Sequence, residues 1–398
     1  MLKGKNIILA VTGSIAAYKI ANLASMLKKL NCDVHVLMTK NATNFINPIT
    51  FETLTGNKCL IDTFDRGFQY SVEHVSLAKN TDVVLIAPAS ANVIGKLANG
   101  IADDMLTTTI MACTCHKIIA PAMNTNMYYN PIVQDNITKL KYYGMEVINP
   151  DSGYLACGDI GEGKMPSEQV LLDYILKEIA HEKDMVGMKV LVTAGATREK
   201  IDPVRFISNN STGKMGYAIA RNCMLRGASV TLITGKTNIS GVPFVKTIEV
   251  ESAKDMFDAV EKNYVDANII IKAAAVADYR SKSICDEKIK KKDDDMTLQL
   301  ERTQDILQFL GENKKENQFL CGFSMETENI IENSKKKLIK KNLDMIVANN
   351  LKDVGAGFGT DTNIVTFITA NETIKHPLMT KDEVSNEILN FILNYKNN

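Results

Sequence analysis

Little in this chain marks it for a membrane, an oxidising compartment or a nucleic acid. Lysine plus arginine (46) equal aspartate plus glutamate (46), a formal net charge of zero, so no global field draws it to nucleic acid or an anionic surface. No apolar run approaches the roughly 20 residues of a spanning helix. The opening MLKGKNIILAVTG is not a secretory signal, because its apolar run is short and strand-like and meets a glycine turn instead of a cleavage site. These features predict a soluble, cytoplasmic protein. The 8 cysteines (Cys32, Cys59, Cys113, Cys115, Cys157, Cys223, Cys285, Cys321) are scattered, which is ordinary thiol usage and not a disulfide framework. There are only 5 histidines, and Cys113-Thr-Cys115-His116 has no second pair at matching spacing, so zinc is not expected there.

What the chain has is two strand–turn–helix cradles of different build. One reads NIILAVTGSIAAYKIANLASML from Asn6, the other KVLVTAGATREKIDPVRFISNNSTGKMGYAIARNCML from Lys189. Each is a β-branched apolar run, a loop of glycine and small polar residues, then an amphipathic helix. That order places free backbone N–H groups at the end of a buried strand, where a phosphate can rest. At 398 residues the chain suits two domains, each able to bury its own core. The short polar stretch HEKDMVG (181–187) is expected as the linker, giving domains at 1–183 and 187–398.

The fold class expected is α/β, two doubly wound (Rossmann-like) domains. In the first half, buried strands are predicted at Asn6–Val11, Asp33–Met38, Asp82–Ala87, Lys117–Ala120 and Glu146–Ile148, with helices between them. The loops at their carboxyl ends are Gly13–Ala16, Thr39, Pro88–Asn92 and Pro121–Asn124. The segment DSGYLACGDIGEGKMPS (151–167) has no strand or helix period and reads as a surface loop or a mobile flap. In the second half, strands are predicted at Lys189–Thr193, Ser229–Ile233, Asn268–Ala273, Phe319–Phe323, Met345–Ala348 and Asn363–Ile368, with helices near 213–225, 252–262 and 329–341. The charged run Lys282–Asp295 reads as a solvated loop.

Neither cradle fits a common nucleotide fingerprint. Gly13-Ser14-Ile15-Ala16 is not GxGxxG, and Thr39 stands where an NAD reader would carry a carboxylate. A hydroxyl-rich pocket suits a single phosphate with a polyol chain, so FMN or a generic phosphate cradle remains. Thr212-Gly213-Lys214-Met215-Gly216 fails as a P-loop, since Ser208 replaces the first glycine and Met follows the lysine.

The segments IAPASANVIGKLANGIADDMLT (86–107), APAMNTNMY (120–128) and GYLACGDIGEGKM (153–165) resemble the flavin-containing cysteine decarboxylases. With DPVRFISNNSTGKMG (202–216), AAAVADYR (273–280), EKIKK (287–291) and KKNLDMIVAN (340–349), nearly the whole chain resembles the bacterial bifunctional phosphopantothenoylcysteine decarboxylase / phosphopantothenate–cysteine ligase family of coenzyme A synthesis. The resemblance implies a flavodoxin-like flavoprotein domain followed by a nucleotide-binding ligase domain. The implied ligands are FMN, Mg2+ with unknown ligands, 4'-phosphopantothenate, L-cysteine and CTP. It also implies a homo-oligomer, with trimers of the first domain around inter-subunit flavin sites, dimers of the second and a possible dodecamer.

Residue roles follow from the same resemblance. His74 in SVEHVSLA would orient substrate and act as a base. Asn124 in PAMN would bind the substrate carboxylate, and Cys157 in ACGD would be the final proton donor, an ordinary thiol being protonated at neutral pH. Gly13, Ser14, Ile15, Thr39, Ser90 and Ala91 would contact flavin, with the Asn99–Asp104 turn as a further candidate. In the ligase, Asn209 would stabilise an acyl-cytidylate, Lys288 would assist its formation and Arg205 would grip a phosphate or carboxylate. Ala273, Ala274, Asp278, Asp305, Ile306, Phe323, Lys337 and Lys341 would bind substrate, chiefly CTP. Read alone, each has a plainer role: a packed or exposed histidine, a turn asparagine, a buried thiol, a surface arginine, a solvated lysine stripe. Ala196 and Asn210 depart from the usual pattern at non-catalytic positions. The rivals are a flavin-binding scaffold, which would lack His74 or Cys157 and end in an acidic tail, and an NAD(P) oxidoreductase, against which the missing fingerprint argues.

Overall fold

A computed structural model describes residues 2–63, 73–154, 158–291, 296–326, 329–350, 357 and 359–397. The chain divides into two compact units, Met1–Glu182 and Lys183–Asn398. Among the described residues no helix is long and apolar enough to cross a membrane.

The first unit opens with β1 (Asn6–Val11), α1 (Ala17–Lys29), β2 (Asp33–Met38), α2 (Pro48–Thr55) and α3 (Glu73–Asn80). It continues with β3 (Val83–Ala89), α4 (Ala91–Ala98), α5 (Met105–Ala112), β4 (His116–Pro121), α6 (Thr125–Tyr128), α7 (Pro131–Tyr142) and β5 (Glu146–Val147). These strands form one sheet in the order β2-β1-β3-β4-β5, all parallel. Residues Ile7–Val11 and all of β3 are buried, as expected of strands covered on both faces. Helix α1 buries Ile20, Leu23, Ala24 and Leu27, the i, i+3, i+4, i+7 stripe, and places Lys28 and Lys29 at its negative end. Asp104 and Thr107 form a capping box that starts α5.

The expected loop at 151–167 is corrected by the structure. It holds an antiparallel hairpin of β6 (Asp151–Tyr154) and β7 (Ile160–Lys164), followed by α8 (Glu168–Ile179). Both strands are largely exposed and glycine-bearing, so no apolar alternation announces them.

The second unit begins with β8 (Lys189–Ala194), β9 (Arg198–Lys200), β10 (Phe206–Ser208), α9 (Lys214–Leu225), β11 (Ser229–Thr234) and β12 (Lys246–Glu249). Next come α10 (Ala253–Asn263), β13 (Ile269–Lys272), β14 (Tyr279–Ser281), β15 (Leu300–Arg302), α11 (Ile306–Glu312), β16 (Phe319–Glu326), α12 (Ile330–Lys340) and β17 (Met345–Asn350). The chain closes with β18 (Thr362–Asn363), β19 (Val365–Ile368), β20 (Thr373–Lys375), β21 (Met379–Thr380) and α13 (Lys381–Asn397). The main sheet runs β12-β11-β8-β13-β16-β17-β19-β20. It is parallel through β17, and β19 and β20 continue it antiparallel.

Residues Lys183–Met185, expected as linker, are held to this second unit. Lys183 Nζ donates to Leu225 O (2.6 Å), and Arg226 donates through Nε and Nη2 to Asp184 (2.9 and 2.5 Å). Met185 is fully buried.

Candidate active sites

Doubly wound sheets bind ligands where the strand order reverses, at the carboxyl ends. In the first sheet that point lies between β1 and β3, and one hydroxyl stitches it. Thr12 Oγ1 donates to Pro88 O (2.6 Å) and accepts from Ser90 N (2.9 Å). Thr12 is fully buried. Thr39 N donates to Val11 O (3.1 Å), and Thr39 Oγ1 accepts from Ala42 N (3.2 Å). At Gly13 a Cβ would fall 2.8 Å from the Asn41 Cβ, so the two loops close on each other only with hydrogen at that position. Ser90 precedes α4, and Ala91 begins it.

Beside this point lies a cavity of about 390 Å³, within the usual range for small-ligand sites. Ser14, Ile15, Ala16, Tyr18 and Lys19 line it from one side, Ala122, Met123 and Asn124 from the end of β4, and Tyr154, Gly163, Lys164 and Met165 from the hairpin. The PAMN loop and the hairpin are joined. Met123 N donates to Gly163 O (3.0 Å), and Asn124 Nδ2 donates to Asp159 Oδ2 (2.8 Å). Asn124 Oδ1 also caps α6 by accepting from Asn126 N (2.8 Å). Gly163 has φ +135°, and a Cβ there would stand 2.3 Å from Met123 O. Cys157 lies outside the described residues, as does the side chain of His74 on α3. In the Asn99–Asp104 turn, Lys96 Nζ binds Asp103 (2.6 Å) and Asp104 (3.0 Å).

In the second sheet the order reverses between β8 and β13, and the Ala273–Asp278 loop is clamped there from three sides. Ala274 N donates to Thr193 Oγ1 (3.2 Å), and Ala277 N donates to Thr197 Oγ1 (2.9 Å). Asn209 Nδ2 donates to Ala275 O (3.2 Å) and Val276 O (3.3 Å). Thr303 Oγ1 donates to Ala277 O (2.6 Å). Asn209, Ala273 and Ala274 therefore meet at the expected crevice.

A cationic cluster sits at the carboxyl end of β13, beside the middle of β16. Lys341 Nζ pairs with Asp305 (2.7 Å), the residue that caps α11, of which Ile306 is the first. Lys337 Nζ donates to Phe323 O (3.2 Å). Lys272, which ends β13, belongs to the same cluster: burial, then Lys337 and Lys341, push its ammonium down to about 8, against the pull of Asp305 and Asp278. Arg205 takes a different place. It donates to Asp202 (Nε 2.9 Å, Nη2 2.5 Å) and through Nη2 to Ile289 O (2.8 Å), next to the exposed Lys288.

Thr12, Asp159, Thr193, Thr197, Asp202, Lys272 and Thr303 were not singled out from the sequence. Thr12 and Lys272 carry a local signal, a polar residue ending an apolar strand. The others are tied to partners across long stretches of chain, although Asp202 also binds its neighbours Val204 and Arg205.

Two doubly wound units, each with a built crevice at its switch point, define a bifunctional α/β enzyme of the flavoprotein and nucleotide-binding type. The comparisons agree half by half. Residues 1–180 match the family described as Flavoprotein, and 185–395 the DNA/pantothenate metabolism flavoprotein C-terminal domain. The Coenzyme A biosynthesis bifunctional protein CoaBC of Bacillus subtilis is 48% identical over 98% of this chain and 97% of its own length. That of Borreliella burgdorferi is 43% identical over 98% and 100%, and that of Escherichia coli 39% over 91% and 90%. A solved structure of a CoaBC C-terminal domain is 46% identical, covers 52% of this chain and 95% of its own, and has a TM-score of 0.45. The chain belongs to the CoaBC family of bifunctional coenzyme A biosynthesis enzymes.

Proposed function

We propose that the second unit joins 4'-phosphopantothenate to L-cysteine at the expense of CTP, and that the first decarboxylates the 4'-phosphopantothenoyl-L-cysteine product to 4'-phosphopantetheine. The observation that carries the reading is the Asn124–Asp159 bond of 2.8 Å, which ties the PAMN loop at the crevice to Asp159.

In the first unit, the residues at the crevice suit FMN. Gly13 leaves a backbone cradle that a Cβ would fill, and the adjoining cavity is of ligand size. When bound, FMN supplies the two-electron chemistry that lets a cysteine carboxylate leave as CO₂. Gly13, Ser14, Ile15, Thr39, Ser90 and Ala91 would hold it. Asn124 orients the substrate carboxylate, His74 takes a proton from the substrate, and the Cys157 thiol returns one to the product carbon. The exposed apolar side chains Ile15 and Tyr18 beside the cavity support a subunit contact there, in keeping with trimers. Dimers of the second unit would extend these to a dodecamer in the cytoplasm.

In the second unit, the pantothenate carboxylate attacks the α-phosphate of CTP, releasing pyrophosphate, and the cysteine amine then displaces CMP. Asn209 steadies the acyl-cytidylate, while Lys288 and Arg205 meet the developing charge. Asp278, Asp305, Ile306, Phe323, Lys337 and Lys341 with the Ala273–Ala274 backbone receive the nucleotide. Among the described residues no three His, Cys, Asp or Glu side chains gather to hold a metal. Mg2+ would accordingly be held chiefly by the triphosphate, whose charge it would offset.

One incubation tests both halves: purified protein with phosphopantothenate, cysteine, CTP and Mg2+, followed for CMP and CO₂. Both should appear, CMP first. Asn209→Asp should stop CMP formation yet leave decarboxylation of supplied phosphopantothenoylcysteine. Equal loss of both activities would refute the two-site assignment.

A further inference from the structure

We propose that Cys113 and Cys115 form a peroxide-reactive dithiol: hydrogen peroxide oxidises Cys115, and Cys113 closes the product to an intrachain disulfide. The inference stands apart from the reading above, which uses neither thiol.

The pair is built into the turn between α5 and β4. Cys113 caps α5, its N–H bonding back to Thr109 O (3.1 Å) and Ile110 O (3.3 Å), and its side chain is buried in the apolar cluster of the first unit. Cys115, half-buried against the same cluster, immediately precedes β4. One ammonium bridges the two residues: Lys117 Nζ donates to Cys113 O (2.7 Å) and to Cys115 O (3.3 Å). The side chains meet, the Cys113 thiol donating to the Cys115 sulfur. Both thiols are free. Nothing beside them completes a metal site. The ring of the adjacent His116 faces Glu146 (3.5 Å), and among the described residues no three His, Cys, Asp or Glu side chains gather. Two sulfurs in contact, one open to solvent and one enclosed, suit oxidation instead.

The sulfurs take unequal parts. The hydrogen bond from Cys113 lowers the Cys115 thiol below its ordinary range against the effect of burial; Lys117 adds to this and Asp82 opposes it. Giving that bond, and then burial, raise the Cys113 thiol and keep it protonated. The Cys115 thiolate attacks one peroxide oxygen, the O–O bond breaks, and the other oxygen leaves as water once protonated. Cys115 is then a sulfenic acid, having given two electrons to the peroxide. The Cys113 sulfur gives up its proton and displaces the sulfenic hydroxyl as a second water, forming the S–S bond. Two thiols and one peroxide thus yield one disulfide and two waters, and a dithiol reductant reverses the change.

The test is peroxide treatment of the full-length protein, quenched by denaturation with a thiol alkylator and digested with trypsin. Cleavage after Lys96 and Lys117 releases residues 97–117, whose cysteines are these two alone. In wild type that peptide should escape alkylation at both positions and lack two hydrogens, and dithiothreitol should restore it. Cys113→Ser keeps a donor but cannot close the ring, so Cys115 sulfenic acid should accumulate and be trapped by dimedone. Cys113→Ala removes the donor as well, and its oxidation at pH 7 should be roughly tenfold slower, since only a few per cent of an ordinary thiol is ionised there. Cys115→Ser should leave Cys113 fully open to alkylation. The proposal is overturned if both wild-type cysteines remain alkylated at a peroxide dose that oxidises the exposed Cys285, or if either is found bridged to a different cysteine. It is equally overturned if Cys113 is oxidised at the wild-type rate in Cys115→Ser. Where a variant does not fold, the wild-type peptide alone decides.

Discussion

A single oxygen of Asp202 accepts from Arg205 twice: Oδ2 lies 2.9 Å from Nε and 2.5 Å from Nη2. The same oxygen accepts from Ile289 N (3.1 Å), and Arg205 returns a bond to Ile289 O (2.8 Å). The other oxygen, Oδ1, accepts from Val204 N and Arg205 N, both at 2.8 Å. The bonds from Arg205 hold the carboxyl well below the usual carboxylate range, and backbone donors add to the effect. The pair therefore ties the DPVR loop to the segment that carries Lys288.

Asp202→Asn should slow CMP formation on the order of 10²-fold, the cost of a misplaced catalytic group, because the segment carrying Lys288, proposed above to assist that step, loses its backbone anchor. Decarboxylation of supplied phosphopantothenoylcysteine should be unchanged. Steady-state assays of each half-reaction check this, and an unimpaired ligase would remove the anchoring role.

Gly163→Ala should cripple decarboxylation and spare ligation. The new methyl would meet Met123 O, a backbone atom that cannot step aside, at a φ that L residues avoid. The hairpin would have to lift from the PAMN loop at a cost of about 1–3 kcal/mol. CO₂ release measured against CMP formation in one sample gives the comparison.

Thr12→Val keeps shape but strips the hydroxyl that joins Pro88 O to Ser90 N. A buried donor and acceptor left without it should cost about 1–3 kcal/mol. Flavin content per chain and thermal melting are the readouts, and a variant that melts and binds flavin like wild type would contradict the stitch.

The His116–Glu146 contact (3.5 Å) makes first-unit stability depend on pH. The hydrogen bond to Glu146 raises the imidazole above its ordinary 6.5, so its contribution is complete below 6.5 and disappears as pH rises through the folded value. Glu146, lowered from 4.5 by His116 and then Lys177, contributes above 4.5 and loses this as pH falls through its folded value. Melting temperature should peak between these limits, and His116→Gln should flatten the alkaline side fully and the acid side in part, since Lys177 still lowers Glu146.

Much of the scaffold is legible in the sequence, because buried parallel strands are written as short apolar runs bounded by turn residues. Asn6–Val11 and Asp33–Met38 are read to the residue. The β6–β7 hairpin is not legible, since its strands are exposed and interrupted by glycine, and α13 passed unread in the tail. The crevice loops could be located because they follow strand ends. Their partners could not: Asp202 and Ile289 stand 87 positions apart, and nothing local in either announces the other. Lys272 is an intermediate case, visible as a charge ending IIIK, but its charged neighbours Lys337 and Lys341 come from a distant part of the chain.

Polarity alone made 181–187 look like spacer, yet Asp184 supplies both oxygens to Arg226, whose side chain is only 7% exposed. A gene fragment for the ligase that began at Met188 would take from that guanidinium its carboxylate and leave it only Asn386 and Asn390, and the damage would surface as poor expression wrongly blamed on the missing flavoprotein half. Starting at Lys183 preserves the seam.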